Sequence, residues 1–195
     1  MNKEPYLKLN NGEILKVGDV KKTIQGELTI QQFSYGFDLA SRTSIINHLI
    51  DKYNLNNYLE IGVRDGRNYN KIIAKNKTGV DPFPTKDING LYKLTSDDFF
   101  KINKIKFDLI FIDGLHLEQQ VDKDIEGCLK FLSNDGFIIM HDCNPPTEFH
   151  QREIYEFNGT FPPWNGTVWR SFAKLRIIKN DLDLSCVDCD WGVGI

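Results

Sequence analysis

Cysteine is scarce in this chain, and no apolar run is long enough to span a bilayer. Four irregularly spaced cysteines in 195 residues exclude a disulfide scaffold. Cys186 and Cys189 form a lone C-x-x-C with no second pair, which argues against a zinc site. They alternate with polar residues and read as part of a late strand. Charge of one sign is also missing. A net charge of −3 with scattered basic residues predicts no attraction to nucleic acid or to an anionic membrane. Lys71, Lys75 and Lys77 read as a solvated helix face. The polar start MNKEPYLKLNNGE is no secretory signal, so the N-x-T sequons at Asn76, Asn158 and Asn165 mean little and a cytoplasmic protein is expected. No repeat or low-complexity tract is present.

What is there is alternation. A hydrophobic content of 41% suits a folded domain with a sizeable core. Residues 1–40 read as an irregular β extension with a turn at Asn10-Asn11-Gly12. A helix is predicted over 41–53, capped by Ser41, with Ile45, Ile46, Leu49, Ile50 and Tyr53 at helical spacing. Strands follow at 57–61, 77–80, 107–112 and 136–140, and helices at 67–75, 96–103 and 117–132. FPPWNGTVWRSFAKLR then supplies a loop and a helix that Thr167 is placed to cap. A strand pair at about 184–195 completes the pattern; the chain stops on strand-like WGVGI, and a few further residues are expected beyond it. Strands as apolar as FDLIFI and GFIIM need cover on both faces. The expected fold is therefore α/β: a Rossmann-like, doubly wound, mostly parallel seven-stranded sheet with helices on both faces, forming one globular unit over 41–195.

YLEIGVRDG passes from strand to helix through Glu60, Gly62 and Gly66. Such a turn binds ligands, because glycine lets backbone approach closely and helix N-termini offer free N–H groups. A dinucleotide needs G-x-G-x-x-G, and here the third glycine is missing. Glu60 and Asp65 would repel a pyrophosphate and favour a ligand with positive groups, such as S-adenosylmethionine (SAM). Asp81, at the end of the second strand, is placed for the ribose hydroxyls, and Ser96-Asp97 for the adenine edge. Asp113 and Asp142 end two strands and project into one crevice if those strands are parallel neighbours.

As a set, YLEIGVRDG, GVDP, TSDDFF, FDLIFIDGLHLEQQVDKDI, IIMHDCNPP and GTVWRSF resemble the class I SAM-dependent methyltransferases, nearest to the family-24 type related to macrocin and catechol O-methyltransferases. The resemblance covers about 57–195. It implies that Glu60, Gly62 and Gly66 hold the methionine part, Asp81 the ribose, and Ser96 and Asp97 the adenine region, with Asp113 orienting the cofactor. By the catechol-type pattern, Asp113 and Asp142 would form an optional Mg²⁺ site. Cys143 stands where those enzymes place an asparagine ligand, and Asn144 is one step late. His116 stands at the general-base position, and His141 is the next candidate. His48 and His150 have no constellation around them. Trp169 and Phe172 read as helix packing, while Trp164 fits either packing or stacking on an acceptor.

The expected function is SAM-dependent methyl transfer to a hydroxyl of a small molecule such as a sugar or glycan precursor. The rivals are an NAD(P)-dependent oxidoreductase and a non-catalytic SAM-binding scaffold. The sequence carries no signal for an oligomeric state.

Overall fold

The structure is a computed structural model and describes residues 6–8, 14–16, 41–155, 163–179 and 181–195. Two compact units divide the chain, Met1–Ala40 and Ser41–Ile195. In the first, strand β1 (Tyr6–Lys8) pairs antiparallel with β2 (Ile14–Lys16), Leu7 opposite Leu15. The Asn10–Gly12 turn lies outside the described residues, as does Asn158.

The second unit opens with helix α1 (Arg42–Tyr53). Its Ser41 cap forms a reciprocal capping box with Ser44, and Asn54 ends it in the left-handed conformation at φ 53°. A seven-stranded sheet follows in the order β5-β4-β3-β6-β7-β9-β8. Its members are β3 (Asn57–Ile61), β4 (Asn76–Val80), β5 (Leu91–Tyr92), β6 (Phe107–Ile112), β7 (Leu132–Met140), β8 (Cys186–Val187) and β9 (Val193–Gly194). The first five run parallel, and the terminal pair is antiparallel. Helices α2 (Ser96–Ile102), α3 (Glu118–Phe131) and α4 (Val168–Ile178) complete the unit.

Strand periodicity divides the core into two faces. Leu59, Ile61, Ile110 and Ile112 pack with Phe99, Val121, Ile125, Val168 and Phe172, from α2, α3 and α4. Tyr58, Leu109, Phe111 and Ile139 pack on the other side with Ile46 and Ile50 of α1. Both faces of the central strands are buried, as their unbroken apolar runs require. Among the described residues no helix is long and apolar enough to cross a membrane.

Several local expectations are corrected: β5 is not among the expected strands, and β7 begins at Leu132 rather than at 136. The predicted helix over 67–75 is a single 3₁₀ turn, Tyr69–Lys71, after which Ile72 turns extended at ψ 131°. Tyr69, Ile72 and Ala74 still bury against the α1 face. Lys77 belongs to β4, not to a helix face; its Nζ caps the short turn by donating to the Tyr69 and Ile72 carbonyls at 2.9 and 3.2 Å. Thr167 does precede α4, but its hydroxyl makes no cap there. It accepts the Glu118 N–H at 2.7 Å and so caps α3 instead.

Candidate active site

Register decides what meets at the carboxyl edge of the sheet. Ile61 pairs with Val80 on one side and Ile112 on the other, and Ile112 pairs with Met140. The next residues, Asp81, Gly62, Asp113 and His141, therefore form one row. Hydrogen bonds continue the ladder, from Gly62 N–H to the Val80 carbonyl (2.9 Å), Asp113 N–H to Ile61 (2.8 Å) and His141 N–H to Ile112 (3.1 Å). After β3 the chain moves outward to β4 and β5, then returns to place β6 on the far side of β3. The row thus lies at the topological switch point, where open α/β sheets bind ligands. It borders a cavity of about 890 Å³.

Gly62 sits at φ +87°, and an added Cβ would lie 2.0 Å from the Asp113 carbonyl oxygen. The close approach that excludes a side chain is thus with the neighbouring strand. Asp81 accepts the Arg64 N–H at 2.6 Å and the Phe83 N–H at 2.8 Å, tying the loops after β3 and β4 while still facing the cavity. Thr95, not Ser96, caps α2. That leaves the Ser96 hydroxyl to donate to Asp124 on α3, and Gln120 Nε2 contacts Ser96, Asp97 and Asp124. This network lines one end of the cavity.

Glu60, Gly66 and Asp65 are not among the lining residues. Asp65 pairs with Arg67 at 2.8 Å, so the carboxylates that border the cavity are Asp81, Asp97, Asp113, Asp124 and Asp142. Glu60 is 1% exposed and accepts from the Tyr58 hydroxyl and from Asn68 Nδ2. Burial pushes its carboxyl up to about 7, although those two hydrogen bonds favour the charged form. Between the unfolded value of 4.5 and about 7 the folded state holds the extra proton. Stability should therefore fall as pH rises through that window, by up to about 3 kcal/mol. Glu60→Gln, always neutral, should flatten the profile in denaturant titrations from about pH 5 to 8. A wild-type profile already flat there would give Glu60 a charged role.

The other end of the cavity holds a cluster of charges. Asp113 Oδ1 lies 3.3 Å from His141 Nδ1 and 3.5 Å from His116 Nε2. Asp142 Oδ2 lies 3.1 and 3.2 Å from the Nδ1 atoms of His141 and His116. Burial opposes charge on both histidines, but the carboxylates outweigh it. His116 is raised above its ordinary value, and His141 is pushed up to about 11. Held among Asp113, Asp142 and Asp190, His141 favours its protonated form, which weighs against its role as the alternative base.

The stretch Trp164-Asn165-Gly166-Thr167 straps this cluster. The Trp164 ring stacks on His116 with centroids 5.1 Å apart. Its carbonyl lies 3.2 Å from His116 Nδ1. Asn165 Nδ2 donates to Asp142 Oδ1 at 2.6 Å, and Thr167 N–H donates to the His116 carbonyl at 2.9 Å. Gly166, at φ +61°, passes so close that a Cβ would fall 2.0 Å from that carbonyl.

Comparison with known proteins bears on the class. Residues 59–143 match the family described as "Methyltransferase domain", family 24. The matched segment is similar to a class I methyltransferase domain of the family-24 type. No curated protein matches it at a significant level. Among solved structures, the S-adenosylhomocysteine-bound methyltransferase PaMTH1 of Podospora anserina is similar over 80% of this chain and 79% of its own, at 17% identity and a TM-score of 0.59. An O-methyltransferase from Bacillus cereus in complex with S-adenosylhomocysteine shares 15% identity over 90% of this chain and 95% of its own, with a TM-score of 0.54. The N-methyltransferase NodS of Bradyrhizobium japonicum shares 17% over 78% and 90%, at 0.51. At these identities the likeness concerns the fold.

At this cluster the residues do not fit Mg²⁺ as the catechol-type pattern implies. Asp113, His141 and Asp142 have ligand atoms within 4.8 Å of one another, close enough by distance alone. Yet Asp113 Oδ2 is taken by Arg42 Nη1 at 2.7 Å, and the remaining carboxylate oxygens face His116, His141 or the Asn165 amide. Three of these four partners are cations or become so on protonation. Cys143 is buried, with its thiol pushed up by burial, and Asn144 turns away to Asp188 at 2.9 Å. Neither supplies a ligand atom here.

Arg42, Asn165, Gln120, Asp124 and Asp190 were not singled out by the sequence reading. Only Asp124 carried a signal: an acid on the otherwise apolar face of α3, next to Ile125 and Cys128.

Proposed function

We propose that this protein transfers the methyl group of SAM to a hydroxyl of a small molecule. The observation that carries the reading is the meeting, around one cavity, of the Gly62–Asp81 turn with a stacked, carboxylate-flanked histidine. The cavity fits the cofactor. Asp81 retains free lone pairs beyond its two backbone bonds to receive a ribose diol, and the Ser96–Gln120–Asp97 network offers polar edges to a base. Bound SAM supplies an activated methyl on a sulfonium. The family match to a methyltransferase domain sets aside the oxidoreductase reading.

His116 removes the acceptor's proton. Its Nδ1 faces two acceptors, the Trp164 carbonyl and Asp142, and keeps its own proton in both charge states. Nε2 is then the atom with the free lone pair. It takes the hydroxyl proton as the oxygen–methyl bond forms and the sulfur–methyl bond breaks, giving a methyl ether and S-adenosylhomocysteine. Asp113, 3.5 Å from Nε2, stabilises the imidazolium that results. Asn165 Oδ1 is buried and has no protein partner among the described residues, which leaves it to accept from a second acceptor hydroxyl. Phe83, Tyr155, Trp164 and Trp191 give the cavity aromatic walls. Such walls suit the C–H face of a sugar, and a sugar or glycan precursor is the proposed acceptor class.

Asp81→Ala tests the cofactor half. SAM affinity by calorimetry should fall ~10–100-fold, the loss expected when a charged hydrogen-bond partner is removed. Wild type that binds no SAM, or a folded variant that binds it unchanged, sinks the reading.

A further inference from the structure

Arg42 is an odd residue to open a helix. A cation in the first turn meets the positive end of the helix dipole, and α1 has no acid there to offset it. The compensation comes from 148 residues away. Asp190 Oδ2 accepts both the Arg42 backbone N–H (2.8 Å) and Nε (3.0 Å), and Oδ1 accepts Nη2 at 3.1 Å. That two-pronged grip suits a guanidinium and not an ammonium. It is also held firmly. Asp190, Trp191 and Gly192 are three consecutive left-handed residues, at φ 45°, 68° and 87°. Their turn accepts the backbone N–H groups of Cys143 and Asn144 at 3.0 Å each, just past the end of β7. A Cβ on Gly192 would fall 2.3 Å from the Asn144 nitrogen, so the turn has no slack. Gripped in this way, the guanidinium points its last nitrogen, Nη1, at Asp113 Oδ2, 2.7 Å away. The same nitrogen lies 3.2 Å from His141 Nδ1, which itself lies 3.3 Å from Asp113 Oδ1.

We infer that Arg42 is the resident cation of the acid cluster: its guanidinium takes the position on Asp113 that a divalent ion would need, and methyl transfer in this chain runs without a metal. Asp113 and Asp142 are the pair that the catechol-type pattern assigns to Mg²⁺, yet here their charge is met by the protein itself. Arg42 also acts as a positioning residue, because it holds the carboxylate that faces His116 Nε2. The activity part rests on the proposed methyl transfer; the metal-binding part does not.

Mn²⁺ serves as the probe, its free-ion paramagnetic resonance signal measured with wild type, Arg42→Met and Arg42→Lys in the absence of SAM. Wild type should bind no stoichiometric Mn²⁺ at up to ~1 mM, a range where Mg²⁺-type sites with two carboxylates bind. Arg42→Met removes the competing charge and should bind Mn²⁺ at least ~10-fold more tightly than wild type. Arg42→Lys keeps the charge and should stay metal-free. Turnover of wild type should be the same with and without EDTA, and should fall ~10–100-fold in Arg42→Met, as expected when a buried carboxylate loses its charged partner. Circular dichroism establishes that each variant is folded. Stoichiometric Mn²⁺ on wild type that Asp113→Asn abolishes overturns the inference. So does a folded Arg42→Met that gains no Mn²⁺ binding, or an Arg42→Lys that gains as much. SAM binding by calorimetry, measured separately, shows whether the underlying methyl-transfer reading has failed instead.

Discussion

His116→Gln should lose ~10²–10⁴-fold in kcat/KM while binding SAM nearly as wild type does, the cost of removing a positioned general base. The amide fills much the same space under Trp164, so the stack and the strap should survive. The pH profile carries the sharper signature. Burial opposes the imidazolium, but the hydrogen bond to Asp113 and the charges of Asp142 and Asp113 outweigh it, so the folded pKa lies above the ordinary histidine value. A base must be neutral to act. Wild-type kcat/KM should therefore rise with pH through an inflection above ~6.5, and the variant should lack that inflection. More acidic acceptors should lose less, since they need less help in giving up the proton. Full activity of the variant on an alkyl alcohol would move the base elsewhere. His141→Gln is then the next variant to measure, although the carboxylates around it favour its protonated form.

The second large effect is expected at the switch point itself. Gly62→Val should cost about 4 kcal/mol or more, enough to leave little folded protein, because two penalties combine. The backbone there is left-handed at φ +87°, and the new Cβ would sit 2.0 Å from a main-chain carbonyl that belongs to the neighbouring strand. Neither can relax without parting β3 from β6. Gly66→Ala is the internal comparison. Its φ is +76°, but the nearest atoms are the side chains of Ile88 and Asn70 at 2.7 and 2.8 Å, which can move. It should cost about 1–2 kcal/mol. Denaturant midpoints for the two variants check this; equal and small losses would show that the strands part more easily than the geometry implies. The same comparison separates a stability role of Gly62 from a cofactor role, since Gly66 does not line the cavity.

Both effects bear on how the site is assembled. The half proposed to receive the cofactor is built by adjacent strand ends, and its parts come in chain order. The half that would handle the acceptor is built by segments far apart: the start of α1, the loop after β6, the strap before α4 and the turn between β8 and β9. That half bears the substrate class and the metal question, so both depend on contacts between distant segments.

Short-range information was enough for most of the strands and for the acids at their ends, though not for the two-residue β5 or for the start of β7 at Leu132. FDLIFI is strand-length, apolar but for Asp108 and stopped by Asp113, and NYLEI ends at the Gly62 turn, so their limits could be read directly, and both match the observed β6 and β3. Ser41 as a cap needed only its own three-residue neighbourhood. The seven-stranded sheet followed from the alternation of such pieces. Helical spacing at 67–75 misled, because Tyr69 and Ile72 reach the α1 face from one 3₁₀ turn and an extended segment as well as they would from a helix, and Lys77 supplies the cap that ends the turn. Thr167 stands in the right place to cap α4 but turns its hydroxyl to α3, a choice made by packing between helices. Arg42 with Asp190, His116 with Trp164, and Asp142 with Asn165 are separated by 148, 48 and 23 residues. Nothing in the local pattern of either partner marks these pairs, since a charge or a ring is satisfied by whatever the topology brings within reach. Residue types and strand ends placed the candidate residues at this edge of the sheet; the folding of distant segments onto it decided which ring stacks on His116, which amide meets Asp142, and which cation sits among the carboxylates.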